Sequence, residues 1–232
     1  MISRYEVLEE RLDQLLETIL LHGPMTLYEA YKALRIKTGS RKQAPSQTTI
    51  DRHLKILEEE QELIVYRTAP HKSGRTKRFF GPTLYGFLRS FQIRNGAASK
   101  NFRRIMEIWL PEKKFEFFLP RDEVMNALSN DDVVTHLGRL CKMVADSLPE
   151  AEDFYDYVEE LGYGESNFAQ PVINLAARIS VTKHRKELGC TLKVLCSHLP
   201  TFKEEMREFI QRQRTTLNAI EKELGLSVAG GE

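Results

Sequence analysis

The stretch Ser46–Gly81, SQTTIDRHLKILEEEQELIVYRTAPHKSGRTKRFFG, constrains this chain more than any other. Ser46 opens it with a hydroxyl suited to accept the amide of the third helical residue, the usual role of an N-cap. Behind that cap Ile50, His53, Leu54 and Leu57 recur at helical spacing and define one buried face. Gln47, Thr48, Asp51, Arg52 and Lys55 share the opposite face, which is left for solvent or a ligand. Next come two β-rich runs, LIVYRT and TKRFFG, separated by APHKSG, whose Pro and Gly turn the chain. A short capped helix therefore runs into a two-stranded hairpin with a basic tip. A helix with small polar residues at its start fits the DNA major groove, and a hairpin tip rich in Lys and Arg fits the phosphates.

Charge supports the same division. The 232 residues carry a formal net charge of only +1. Residues 1–110 nevertheless hold 19 Lys/Arg against 12 Asp/Glu, whereas residues 111–232 hold 15 against 21. The excess concentrates in 32–104, with 17 basic and 5 acidic residues. A basic block beside an acidic one predicts a nucleic-acid-binding module joined to a domain with another task. Small polar residues at Gly96–Lys100 mark the break, giving a reader at 1–95, a linker at 96–100 and a helical domain at 101–232.

Along the chain, Tyr5, Leu8, Leu12, Leu15, Leu16 and Ile19 predict a first helix that His22-Gly23-Pro24 stops. Thr26 caps a second helix carrying Leu27, Ala30, Tyr31 and Leu34, and the polar, basic segment 37–45 leads to Ser46. Pro82–Asn95 reads as a fourth helix after the hairpin. Beyond it the pattern is helical: Phe102–Leu110, a long helix from Val133 to Leu148 behind Asn130 and Asp131, and segments around 154–161, 172–179 and 188–199. A last helix carries Phe202, Met206, Phe209, Leu217, Ile220 and Leu224, with Gln213 interrupting its seam. A polar residue in such a seam can fix the register of a helix pair. The alternative is that the stripe covers the protein's own core. The expected fold class is mainly α: a helix-turn-helix unit with a two-stranded wing, then an all-α domain.

SQTTIDRHLKILEEEQELI resembles the recognition helix and following turn of winged helix-turn-helix regulators of the MarR/ArsR/PadR type, especially archaeal ones. Ser46, Thr49, Ile50, Arg52, His53, Leu54, Lys55, Leu57, Glu58, Glu59, Leu63 and Ile64 carry the resemblance. GPMTLYEAYKAL is similar to that family's second helix, and GPTLYGFLRSF to its helix after the wing. Two departures stand out: Glu62 replaces the usual Gly before the final Leu, and the loop between helices two and three is expanded. The resemblance covers about residues 5–95 and implies that Gln47, Thr48 and Arg52 reach base edges. Gln pairs adenine and Arg pairs guanine bidentately. Ser46, Thr49 and Lys55 are then expected to position the backbone. On the hairpin, His71, Lys72, Ser73, Arg75, Lys77 and Arg78 are expected at phosphate or in the minor groove.

Other features weigh less. His53 lies on the core face and is expected as a structurally satisfied histidine. Cys190, Cys196 and His198, with Cys141 and His184 elsewhere, match no strong zinc spacing, so no metal or other cofactor is expected. Carboxylates such as Asp131, Asp132 and Glu150–Asp153 fall at helix starts, where capping explains them. With no glycine-rich phosphate loop, nucleophile elbow or two-His helical metal motif, no enzyme is expected. Three cysteines suit a reducing cytosol, no run approaches the roughly 18 apolar residues of a membrane span, and the charged start MISRYEVLEERLDQ predicts no signal peptide. The expectation is a cytoplasmic, homodimeric, sequence-specific regulator binding double-stranded DNA, with an effector or protein partner at the helical domain. The alternative is a winged-helix adaptor that binds protein only.

Overall fold

The computed structural model describes residues 4–38, 45–71, 74, 76–93, 96–115, 117, 119–146, 148, 154 and 185–224. These residues are mainly helical, with one three-stranded antiparallel sheet. The first part runs α1 (Arg4–His22), β1 (Met25–Thr26), α2 (Leu27–Thr38), α3 (Gln47–Glu59), β2 (Leu63–Pro70), β3 (Thr76–Pro82) and α4 (Leu84–Arg89). The second runs α5 (Ala97–Lys100), α6 (Phe102–Trp109), α7 (Arg121–Ala127), α8 (Asp131–Ala145), α9 (Arg185–His198) and α10 (Pro200–Glu223). The helices expected around 154–161 and 172–179 lie outside the described residues, apart from Phe154.

Local chemistry explains the element ends. Gly23 closes α1 at φ +86°, its amide bonded to the Ile19 carbonyl at 3.0 Å. Thr26 and Glu29 form a reciprocal cap on α2: the Glu29 amide donates to the Thr26 hydroxyl at 3.3 Å and the Thr26 amide to the Glu29 carboxylate at 2.8 Å. Thr26 also belongs to β1, a two-residue strand pairing Met25 with Phe80 and Thr26 with Phe79. β1 and β2 flank β3, so the hairpin is rooted in the helical unit by its central strand. Tyr66 sits at a bulge in β2, and its hydroxyl donates to the Pro82 carbonyl at 2.9 Å.

Three details differ from the sequence pattern. The helix after the hairpin ends at Arg89 rather than continuing to Asn95, and the Ser90 hydroxyl turns back to the Phe87 carbonyl at 2.5 Å. Residues 97–100, expected within a linker, are helical: Ala98 is fully buried and the Ala97 amide donates to the Glu17 carboxylate of α1. The left-handed residue after α3 is Gln61 (φ +57°), not Glu62. The Glu62 amide bonds the Leu57 carbonyl at 2.8 Å and the Gln61 amide the Glu58 carbonyl at 3.2 Å, a Schellman ending displaced from Glu62 onto its neighbour.

Glu62 is instead 3 % exposed, with one carboxylate oxygen 2.7 Å from Arg89 Nε. Arg89 also donates to Asp13 of α1 at 2.7 Å, so one guanidinium ties α1, the end of α3 and α4 together. Burial pushes the Glu62 carboxyl up to about 7 against the pull of Arg89, with Glu60 and Asp13 adding to the rise. Gly86 of α4 packs on the Glu62 backbone so closely that any Cβ there would overlap the Glu62 carbonyl. From the turn after α4 the Gln92 amide reaches the Ala145 carbonyl at the end of α8, at 2.5 Å.

The core is continuous from α1 to α10. Phe87 sits amid Phe91, Phe102, Phe115 and Phe117, with ring centroids 5.4 to 6.5 Å apart. The buried Trp109 meets Tyr66 edge-on at 5.2 Å, and its indole N–H donates to the Leu20 carbonyl at 2.8 Å. Asn130 caps α8 through the amides of Asp132 and Val133, and Cys141 lies fully buried on the inner face of that helix.

Candidate nucleic-acid interface

α3 takes the expected orientation. Ser46 caps it, accepting the Thr49 amide at 3.1 Å, and the two hydroxyls lie 2.9 Å apart. Ile50, His53, Leu54 and Leu57 are all buried. Gln47, Thr48, Arg52 and Lys55 are exposed, and Thr49 and Asp51 are half-buried. Asp51, the one acid on that face, is held by Lys55 at 3.3 Å. That pair spends the charge of Lys55 locally. Arg52 makes no ion pair or hydrogen bond among the described residues, so it remains available.

The hairpin divides in two. Its base is buried at Phe80–Pro82, whereas Thr76, Lys77 and Arg78 are exposed. Arg78 bends back toward the helical unit: its guanidinium pairs with Glu58 of α3 and lies 5.0 Å over the Phe80 ring. It neutralises the acidic end of α3 rather than pointing to the tip. Arg67 on β2, missed in the sequence pattern, lies 4.7 Å over the Phe79 ring on the register partner of that residue. Lys77 pairs across the hairpin with Ala69 and stays exposed. Gly74 turns the tip at φ +76°, and its amide bonds the His71 carbonyl at 2.9 Å. Lys72, Ser73 and Arg75 lie outside the described residues.

Ser46, Thr48, Thr49 and Arg52 also border an open groove of about 990 Å³. Its opposite wall comes from α1, through Tyr5, Val7, Leu8 and Arg11. None of these four α1 residues was singled out as a ligand contact from the sequence. Arg11 stands among glutamates on α1, and only the fold brings it beside α3.

His53 lines the same groove. It is 4 % exposed, as its place on the core face predicted, and its ring nitrogens are not among the buried atoms left without a partner. Burial first, then the nearby charges of Arg11 and Arg52, push its pKa below the ordinary histidine value. At neutral pH it is an uncharged imidazole with one N–H to give.

Cys141 is buried, Cys196 half-buried and Cys190 exposed. Burial raises the Cys141 thiol well above its ordinary value and raises Cys196 as well, opposite to what an activated thiolate needs. No group of three His, Cys, Asp or Glu side chains able to hold a metal occurs among the described residues. No helix among them is long and apolar enough to cross a membrane.

The order α1-β1-α2-α3-β2-β3, with the helix-turn-helix packed on a three-stranded sheet, is that of a winged helix-turn-helix, followed here by a helical domain. No protein-family model and no curated protein matches the chain. Among solved structures it is similar to PadR of Bacillus subtilis in complex with operator DNA, at 15 % identity and a TM-score of 0.29, covering 81 % of this chain and 98 % of that one.

Proposed function

We propose that this protein is a DNA-binding transcriptional regulator whose α3 enters the major groove and whose β2–β3 wing lies along the backbone. One observation carries the reading: the first half of α3 presents Gln47, Thr48 and Arg52 to solvent beside an exposed basic hairpin, while its acidic end is neutralised by Arg78. A helix N-terminus favours phosphate and tolerates close approach. Gln47, Thr48 and Arg52 supply sequence preference, Ser46 and Thr49 set the helix against the backbone, and the wing supplies affinity. Lys72, Ser73, Arg75 and Lys77 are the wing residues assigned to phosphate; Arg78 and Lys55 contribute only after leaving Glu58 and Asp51.

The reader, residues 1–95, works as one of a pair. The first half of α10 covers the protein's own core through Phe202 and Met206. Its second half leaves Ile210, Leu217, Ile220 and Leu224 exposed, the last at 65 %. A second copy of this helix, with Gln213 in register, is the partner assigned to that seam, placing two α3 helices on successive half-sites. The test is a fluorescence-anisotropy titration of the full chain with mixed-sequence duplex at two salt concentrations. Binding that weakens steeply with salt is expected. Absence of salt-dependent binding overturns the reading and leaves a protein-binding adaptor.

A further inference from the structure

Two arginines reach the groove between α1 and α3, Arg11 from one wall and Arg52 from the other, and no Asp or Glu borders it among the described residues. Helical spacing keeps both free. The positions three and four away from Arg11 hold Val7, Leu8, Gln14 and Leu15, so no carboxylate lies within its local reach. Those around Arg52 hold Thr48, Thr49, Lys55 and Ile56, with the same result. Glu9 and Glu10, immediately before Arg11, fall on other faces of α1. Neither arginine makes an ion pair or hydrogen bond among the described residues, whereas Lys55 is paired with Asp51 and Arg78 with Glu58. His53, buried in the wall of the same groove, registers both guanidiniums: after burial itself, Arg11 and then Arg52 hold its pKa below the ordinary value. Two cations facing one open cleft without a counter-charge raise its potential and favour an anion there.

We propose that Arg11 is a positioning residue for DNA: it grips a backbone phosphate beside the bases that Arg52 and its neighbours read, and so sets how α3 sits in the major groove. The inference rests on the reading of α3 as the DNA-contacting helix. A guanidinium suits the task because its paired N–H donors match two phosphate oxygens. The exposed side chains of Tyr5 and Val7 stand on the same wall as Arg11. Deoxyribose rings on either side of a phosphate supply the apolar surface that covers them.

The two arginines then divide the labour. Arg52 discriminates among bases, and Arg11 does not, because every base step carries the same phosphate. In the free chain the two like charges share the groove unrelieved. A phosphate between α1 and the start of α3 relieves that repulsion and ties the DNA to a second helix of the reader, behind the one that touches bases. The interface thereby extends to α1, a helix whose other charged residues before Leu15 are mostly acidic.

The experiment measures the apparent Kd of the full chain for a panel of duplexes by fluorescence anisotropy over a series of salt concentrations, for the parent, Arg11→Ala and Arg11→Lys. Arg11→Ala is expected to weaken binding by about tenfold at low salt and to reduce the salt slope by about one unit. The loss should be the same for every duplex sequence. Arg11→Lys should keep the slope and lose only part of the affinity, since the charge stays and the paired donors go. The urea midpoint should not move, because Arg11 is exposed. Unchanged affinity and slope in Arg11→Ala, a loss confined to some sequences, or equal losses in Arg11→Ala and Arg11→Lys overturns the proposal. A shifted urea midpoint with an unchanged slope marks a merely structural residue and overturns it too. If Lys77→Ala weakens binding while Arg11→Ala does not, the reading of α3 stands and the role of Arg11 alone is refuted. A parent that binds no duplex overturns the reading of α3 and this role with it.

Discussion

Arg89 Nε lies 2.7 Å from one oxygen of the Glu62 carboxylate, and the other oxygen of that carboxylate is buried without a partner. The ion pair is thus half-built, and burial outweighs the attraction of Arg89 in setting the Glu62 pKa. Unfolded, Glu62 titrates near 4.5; folded, near 7. Between those values the unfolded chain has lost the proton that the folded chain keeps, so this group lowers stability as pH rises through the window. Glu62→Gln should flatten that loss and gain about 1–3 kcal/mol at pH 8 relative to the parent. Urea unfolding of both proteins at pH 5 and pH 8 checks it; parallel pH dependences in the two would refute the assignment.

Gln61 holds a left-handed backbone that costs a non-glycine residue about 1 kcal/mol. Gln61→Gly should relieve the strain and raise stability by about 0.5–1 kcal/mol despite the added chain entropy of glycine. A lowered urea midpoint would mean that the Gln61 side chain contributes more than its backbone costs.

Gly86 has the opposite constraint, because its neighbour is the Glu62 backbone and not a flexible side chain. Gly86→Ala should destabilise by about 2 kcal/mol or more, or prevent folding. Gly189→Ala, in open space on α9, is the control expected to be neutral or slightly stabilising.

On DNA, Arg52→Ala should cost roughly 1–3 kcal/mol and relax preference at one base position. Lys77→Ala should weaken binding to all sequences and reduce the salt slope by about one unit. Glu58→Gln should release Arg78 and tighten non-specific binding, an effect absent from the double variant Glu58→Gln/Arg78→Ala. Salt titrations of these four proteins decide between wing contact and a wing that merely packs.

Leu217→Glu with Ile220→Glu should convert a dimer to a monomer in light scattering. It should also weaken DNA binding, without changing the unfolding of the reader. An unchanged mass would place the pairing surface elsewhere.

Periodicity made α3 legible: Ile50, His53, Leu54 and Leu57 recur at a spacing only a helix gathers on one face, and Ser46 marks its start. The alternation of β-rich runs around Pro and Gly did the same for the hairpin. What stayed hidden were relationships between distant positions. Asp13, Glu62 and Arg89 meet only once three helices have packed. β1 has two residues, too few for any period to register. The left-handed turn residue carried no glycine to announce it, so Glu62 drew attention that belonged to Gln61. Arg11 and Arg52 are separated by forty-one positions, and nothing in either local pattern places them on one groove.

The tether through Arg89 has a mechanical meaning. α3 ends on a turn whose carboxylate is gripped by α4 and whose backbone fills the space left by Gly86, while Gln92, in the turn after α4, holds the end of α8. The end of α3 is therefore held from two sides, by Glu62–Arg89 and by the Gly86 backbone contact. A rotation of α3 would strain the Arg89 contacts and, through the turn after α4, the contact of Gln92 with α8.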